Sequence, residues 1–416
     1  MFTLLFIAFL LADVLLRFWL ASRQIRHVRR HRDQVPEQFS ARIGLHSHQR
    51  AADYTVAKMR LGMVERLVEA MVLVAFTLLG GLQFIDQWLG ARIDHEMLRQ
   101  LALIGVVFAI MGLIGLPFAI YNKFRLEQRF GFNRMTPKLF AIDTVKTILL
   151  SMLFGAPLAA LVLWIMGNTG PAWAWWAWAT WVVFNILLIW LFPTVIAPMF
   201  NTFKPLDNPE ISQRIEALMQ RCGFSVKGLF VMDGSRRSAH GNAYFTGFGN
   251  ARRIVFFDTL LSRLNADEIE AVLAHELGHF KHRHIIRRMG LSFVFSLIFF
   301  LALGWLSQQI WFYDGLGVLP QFGRPNDALA LILFFLVVPV FTFWVTPLAA
   351  WISRRDEFEA DRYAAQQASA PALMSALVKL YDDNAATLTP DPIHSGFYDS
   401  HPPAIQRISH LQNAAH

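Results

Sequence analysis

Seven stretches of the 416-residue chain are long and apolar enough to cross a membrane as helices. They run over about 2–20, 64–89, 101–121, 140–166, 174–200, 289–311 and 328–352. A hydrocarbon core of about 30 Å offers no water to backbone N–H and C=O groups, so an unbroken apolar run must satisfy them internally, as a helix. The chain therefore reads as mainly α, a polytopic membrane protein. Composition agrees: 55% of residues are hydrophobic and 16% charged, where about 25% charged is usual for a soluble domain. A disordered chain, a coiled coil and a disulfide-stapled domain are excluded. The single cysteine, Cys222, also excludes a cysteine-rich metal site. The first stretch has no basic leader and no clear A-x-A site, so it is expected to be a retained membrane helix and not a signal peptide. Pro117, Pro157, Pro193, Pro198, Pro339 and Pro347 are candidate kinks. No internal repeat or low-complexity tract is present.

The net charge of +8 could suggest nucleic acid, but its location argues otherwise. Residues 21–63 carry nine Lys/Arg and 122–139 carry five. The alternate loops 90–100, 167–173 and 312–327 carry two, none and one. Positive charge in short loops marks the cytoplasmic side. The expected partner is the lipid bilayer, with no nucleic acid. The N-terminus is expected outside, with 201–288 and 353–416 in the cytoplasm. Trp173, Trp175, Trp176, Trp178 and Trp181 suit an aromatic belt at the outer interface. Asp13, Glu65, Glu69, Asp143 and Lys146 lie in or near the spans and should face protein or water. Asp143 and Lys146, three residues apart, could equally pair with each other.

The polar segment 201–288 holds the chemistry. LFVMDGS (229–235) and RRIVFFD (252–258) read as short strands, with a third inside GNAYFTGFGN. A helix is expected from about Asn265 to His284, with Asn265 a plausible cap and Glu268 three residues on. It carries AVLAHELGHFKHRH. His275 and His279, four residues apart, share a face, and Glu276 follows the first histidine. This H-E-x-x-H spacing gives two zinc ligands and a general base. Gly278, between the ligands, suits close packing or substrate approach.

A catalytic zinc needs a third protein ligand. A metzincin-type third histidine fails, because position 285 is Ile and 282 is His. An intramembrane site fails too, because the motif is flanked by Asp267, Glu268, Glu270, Lys281, Arg283, Arg287 and Arg288. The remaining candidate is SRRDEFEADRYAA, where Glu357 and Asp361 share a helical face. Glu357 would bind the metal and Asp361 would accept the spare N–H of a ligating histidine. Glu359, about 200° round the helix, would be exposed or paired with Arg355 or Arg362.

These residues resemble the type I CaaX prenyl proteases, integral-membrane zinc endopeptidases. LEQRFGFNRMT (126–136), PMFNTFKPL (198–206), DGSRRSAHGNAYFTGFG (233–249), AHELGHF, the EFEAD stretch and SHPPAIQRI (400–408) carry the resemblance. Arg134 stands where many members have Lys. The resemblance implies seven transmembrane helices around an internal chamber, with a cytoplasmic α+β metalloprotease domain at one end. It implies one Zn²⁺ per chain on His275, His279 and Glu357, with Glu276 as base. It places His401 and Arg407 near the substrate or oxyanion. A peptide or protein substrate, prenylated in the family's hallmark reaction, would pair extended against Asn242, Ala243, Tyr244 and Phe245.

The chain then divides into a five-helix membrane region with basic cytoplasmic loops (1–200) and a protease segment with a short sheet and the motif helix (201–288). Transmembrane helices six and seven (289–352) follow, and then a segment with the third ligand and the HPP motif (353–416). The expected function is membrane zinc proteolysis, either CaaX-type removal of a C-terminal tripeptide or related cleavage. The alternatives are an HtpX-type quality-control protease and a channel or transporter with a vestigial site. The C-terminal HLQNAAH shows no clear retrieval signal, which favours a bacterial inner membrane over endoplasmic reticulum as an expectation.

Overall fold

The computed structural model describes residues 1–225, 228–246, 253–320 and 323–414. Six helices are long and apolar enough to span a bilayer: Phe2–Arg30, Glu96–Glu127, Pro137–Asn168, Gly170–Phe200, His284–Leu306 and Asp327–Gln367. A seventh is a broken pair, Leu45–Phe76 and Gly81–Gly90, bent by 51°. Each of the seven expected stretches falls on one of these. The break has a local cause. Gly80 sits at φ 73°, and a Cβ on Gly81 would lie 2.5 Å from the Ala75 carbonyl oxygen. Only glycine meets both demands cheaply. The chain is a multi-pass integral membrane protein.

The spans close on each other at one end only. Their shared core draws Phe6 and Leu10 from the first and Leu73, Phe76 and Leu82 from the second. Leu103 and Val107 come from the third, Leu163 and Met166 from the fourth, Ala174 and Ala177 from the fifth. Leu303 and Leu329–Leu333 come from the sixth and seventh. All lie toward the ends away from the basic loops. Arg99, 2% exposed, ties this end by reaching Asp86 at 2.5 Å and the Pro325 carbonyl at 3.0 Å. Toward the other end burial is scarce. Only 6% of the most apolar stretch of the fifth or sixth span is buried, against 56% for the seventh. Apart from contacts such as Trp178 with Phe293, the fifth and sixth spans therefore leave most of their surface uncovered by protein.

Among the described residues, four of the five charged residues in or near the spans find partners, Glu65 being the exception. Asp13 takes Arg17 at 2.8 Å and Glu69 takes Arg66 at 2.6 Å. Asp143 does not pair with Lys146. It accepts two bonds from Arg237, at 2.8 and 3.1 Å, while Lys146 donates to the Met199 carbonyl at 2.7 Å. A guanidinium fork satisfies both carboxylate oxygens at once, which an ammonium cannot. The tryptophan cluster is split: Trp175 and Trp176 face outward, Trp173 is buried, and Trp178 donates to Phe293 O on the sixth span.

The polar segments share a second core. Ile215 and Leu218 pack with Ile254, Phe256, Leu273 and Leu277, with Ala364 at the far end of the last span, and with Leu377 and Leu411 beyond it. Within it lies a four-stranded sheet. β1 (Phe203–Pro205) and β2 (Gly228–Met232) are antiparallel, β2 and β4 (Arg253–Phe257) parallel, and β4 and β3 (Ala243–Thr246) antiparallel. The order β1-β2-β4-β3 leaves β3 at an edge. Gly247 to Asn250 and Arg252, within the expected strand region, lie outside the described residues. Two motifs converge on the turn that feeds β3. Asn133 bridges to Ser238 and Ala239 N donates to Phe132 O. Asn201 accepts from Arg237, and Thr202 N donates to Asp233.

Candidate active site

The motif helix, Ala266–Lys281, starts as its sequence requires. Asn265 accepts from Glu268 N and Glu268 accepts from Asn265 N, a reciprocal cap. The Glu268 carboxylate also takes Lys379 at 2.7 Å and Ser375 at 2.8 Å, which fixes this end to the helix Ala370–Asp383. Ile269, Leu273 and Leu277 recur every four residues and bury the core face.

The second contributor is the helix Thr346–Gln367, which continues the seventh span past its apolar part. Its stripe of Glu357, Ala360, Asp361 and Ala364 is buried. The two helices touch where both are smallest. A Cβ on Gly278 would sit 2.9 Å from Ala360 Cα and 3.2 Å from its Cβ. Gly278 lies between the two histidines and Ala360 between the two acids, so this contact sets the separation of the four site residues. Replacing Gly278 by alanine should force the helices apart, cost about 1–3 kcal/mol, and weaken metal retention. Thermal midpoint and metal content of the purified variant would check it, and a variant matching the parent in both would refute this role for Gly278.

Across the contact, His275 Nε2, His279 Nε2 and a Glu357 carboxylate oxygen converge. The histidine nitrogens are 3.3 Å apart; His275 Nε2 stands 3.4 Å from Glu357 Oε2 and His279 Nε2 stands 3.4 Å from Glu357 Oε1. Ligands about 2.0–2.2 Å from one tetrahedral ion are roughly 3.3–3.6 Å apart, so the triangle has the right size for zinc. Glu357 Oε2 is buried with no hydrogen-bond donor, as suits an atom reserved for a cation. Two nitrogens and a carboxylate form the donor set of a catalytic zinc with one open position.

His275 turns Nδ1 to Asp361 Oδ1 at 2.9 Å. Arg407, 5% exposed, forks onto Asp361 at 2.8 and 2.5 Å and comes to 3.9 Å from Glu357. Its guanidinium is thus taken up by carboxylates and faces little solvent. His401 Nε2 lies 3.5 Å from Glu357 Oε1 with its side chain 61% exposed. The HPP loop is held by Arg354, which donates to the carbonyls of Ser395, Gly396 and Asp399. Burial raises the Glu276 carboxyl above its usual range and Glu357 adds to this, while His275 and Arg407 oppose it.

Glu359 pairs with Arg355 at 3.4 Å, one of the two partners expected, but is only partly exposed. Its closer contact is His284 Nε2 at 3.0 Å, which the sequence did not foresee. Of the strand residues, Asn242 turns its side-chain oxygen to Ala243 N and its carbonyl to Phe257 N. Ala243, Tyr244 and Phe245 pair with Phe256, Val255 and Ile254, and among the described residues no strand lies on their other side. Tyr244 and Val255 line a cavity of about 370 Å³ with Pro193, Pro198 and Phe203.

Seven spans and a buried histidine–carboxylate triangle define an integral-membrane metallopeptidase. Residues 24–202 match the family described as CAAX prenyl protease N-terminal, five membrane helices, and 205–415 match peptidase family M48. The chain belongs to peptidase family M48. It is 37% identical over 330 residues to CAAX prenyl protease 1 homolog of Oryza sativa, covering 78% of this chain and 76% of that one. It is 34% identical over 325 residues to CAAX prenyl protease 1 of Saccharomyces cerevisiae, covering 75% and 72%. The crystal structure of S. mikatae Ste24p superposes with a TM-score of 0.91 at 29% identity, covering 99% of both chains. The chain is accordingly a membrane metalloendopeptidase that acts on peptide or protein substrates.

Proposed function

We propose that this chain removes the C-terminal tripeptide of prenylated CaaX proteins, using one zinc ion bound by His275, His279 and Glu357. The observation that carries the proposal is the triangle of ligand atoms 3.3–3.4 Å apart, with Glu276 beside it and an open strand edge in the same domain. Zinc held by His275, His279 and Glu357 would supply Lewis acidity toward a water and the scissile carbonyl. Glu276 takes the water's proton and returns it to the leaving amine. His401 donates toward the oxyanion. Asp361 accepts the Nδ1–H of His275, and Arg407 orients Asp361, so Arg407 acts through the ligand set and not on the substrate. Backbone groups of Asn242 to Phe245 on β3 hold the peptide extended by adding a strand.

A farnesylated CaaX peptide and its unprenylated twin, offered to the purified protein with and without chelator, test this. Chelator-sensitive cleavage of the farnesylated peptide is expected. Equal cleavage of the twin would remove the prenyl requirement and favour general membrane proteolysis, while cleavage that ignores chelator would remove the metal.

The site faces the cytoplasm in this proposal, since the basic loops 21–63 and 122–139 lie on its side of the bilayer. Cysteines introduced at 30 and 265 should resist an impermeant reagent in intact cells and react after permeabilisation. The native Cys222 is buried and adds little background. Labelling of either position from outside would invert the topology.

A further inference from the structure

The two histidines of the triangle are supported differently. His275 has Asp361 behind it. Behind His279 stands His284, whose Nδ1 lies 3.0 Å from His279 Nδ1. His284 is 1% exposed, and its Nε2 faces Glu359 Oε2 at 3.0 Å. Periodicity would not bring it there. Five residues along an unbroken helix is about 140° round the axis. The chain leaves the motif helix at His282, and Arg283 adopts φ 56°, a left-handed turn rare outside glycine. That turn starts the sixth span and folds His284 back onto His279.

The proton positions then follow from chemistry. His279 offers Nε2 to the triangle, so that atom is bare and Nδ1 carries the hydrogen. His279 Nδ1–H must therefore donate to His284 Nδ1, which leaves the hydrogen of His284 on Nε2, where it donates to Glu359. Each donor in the chain meets one acceptor. His284, Asp356 and Glu359 could alternatively be taken for a second cation site. Asp356, however, already carries two arginines, Arg287 and Arg288, the latter at 3.0 Å. A further cation would meet like charge there.

We propose that His284 is a positioning residue: it accepts from His279, fixes which nitrogen of that ligand faces the metal, and is itself oriented by Glu359. The proposal rests on the assignment of His275, His279 and Glu357 as metal ligands. Support of this kind behind a ligating histidine is typically worth about 10–100-fold in metal affinity.

The test is metal affinity by competition with a chelator, together with the absorption spectrum of the cobalt-loaded full-length protein. Asparagine places an acceptor oxygen close to where histidine has Nδ1, whereas glutamine places its amide nearer Nε2. His284→Ala and His284→Gln should therefore lose about 10–100-fold in affinity and shift the cobalt spectrum, while His284→Asn should stay close to the parent. The asparagine–glutamine contrast stands even if the alanine variant fails to fold. Parent-like affinity and spectrum in His284→Gln would overturn the proposal. So would two metals per chain in the parent with only one lost from His284→Ala, which would make the cluster a second site. His275→Ala is the control. If it keeps its metal, the ligand assignment itself fails, and that outcome is distinct from a failure confined to His284.

Discussion

Glu276→Gln is expected to keep its metal and lose cleavage by at least about 10²–10⁴-fold, the usual contribution of a general base. Glutamine preserves shape and hydrogen-bonding reach but cannot take a proton from water. Glu276 neighbours His275, a proposed ligand, without belonging to the triangle, so the ion should stay. Its environment suits the task, because burial holds the carboxyl above its usual range and makes it a stronger base than an exposed glutamate. Metal content and peptide cleavage on the same preparation decide the matter. Near-native turnover with about one metal per chain would remove Glu276 from the chemistry.

The second large effect separates three acids of one short stretch. Glu357→Ala should lose most bound metal, because it removes one corner of a triangle that only three side chains form. Asp361→Ala should cost roughly 10–100-fold in affinity or activity. It strips His275 of its acceptor and leaves Arg407 buried without the carboxylate it forks onto. Glu359→Ala should be the mildest, since Glu359 reaches the triangle only through His284. Metal analysis of the three variants gives the order. Loss of the metal from Glu359→Ala with retention in Glu357→Ala would reverse the helix register on which the site is built.

Local pattern made the membrane spans and the motif helix legible. Apolar runs of membrane length have one outcome in lipid, and the spacing of His275 with His279, or Glu357 with Asp361, sets a shared face whatever the tertiary context. The Asn265–Glu268 cap was visible for the same reason. What escaped depends on contacts between distant segments. Arg407 meets Asp361 across 46 residues, and Arg237 meets Asp143 across 94. Arg99 looked like a loop cation and is instead buried against Asp86. His284 escaped because a left-handed Arg283 breaks the period from which its place would be read. The helix Pro209–Cys222 also went unread, although Asn208 caps it and Gly223 ends it.

The placement of the sixth and seventh spans has a consequence for how the molecule matures. His275 and His279 precede this pair of spans in the chain, and Glu357 lies past the apolar part of the second. If just one of the two spans fails to cross, the glutamate is stranded on the face of the bilayer opposite the histidines. A carboxylate so stranded cannot complete the triangle, and two histidines alone make a poor zinc site. On the ligand set proposed above, ion capture would therefore depend on correct insertion of this pair of spans. A chain with only one of the two spans inserted would then lack both its metal and its activity.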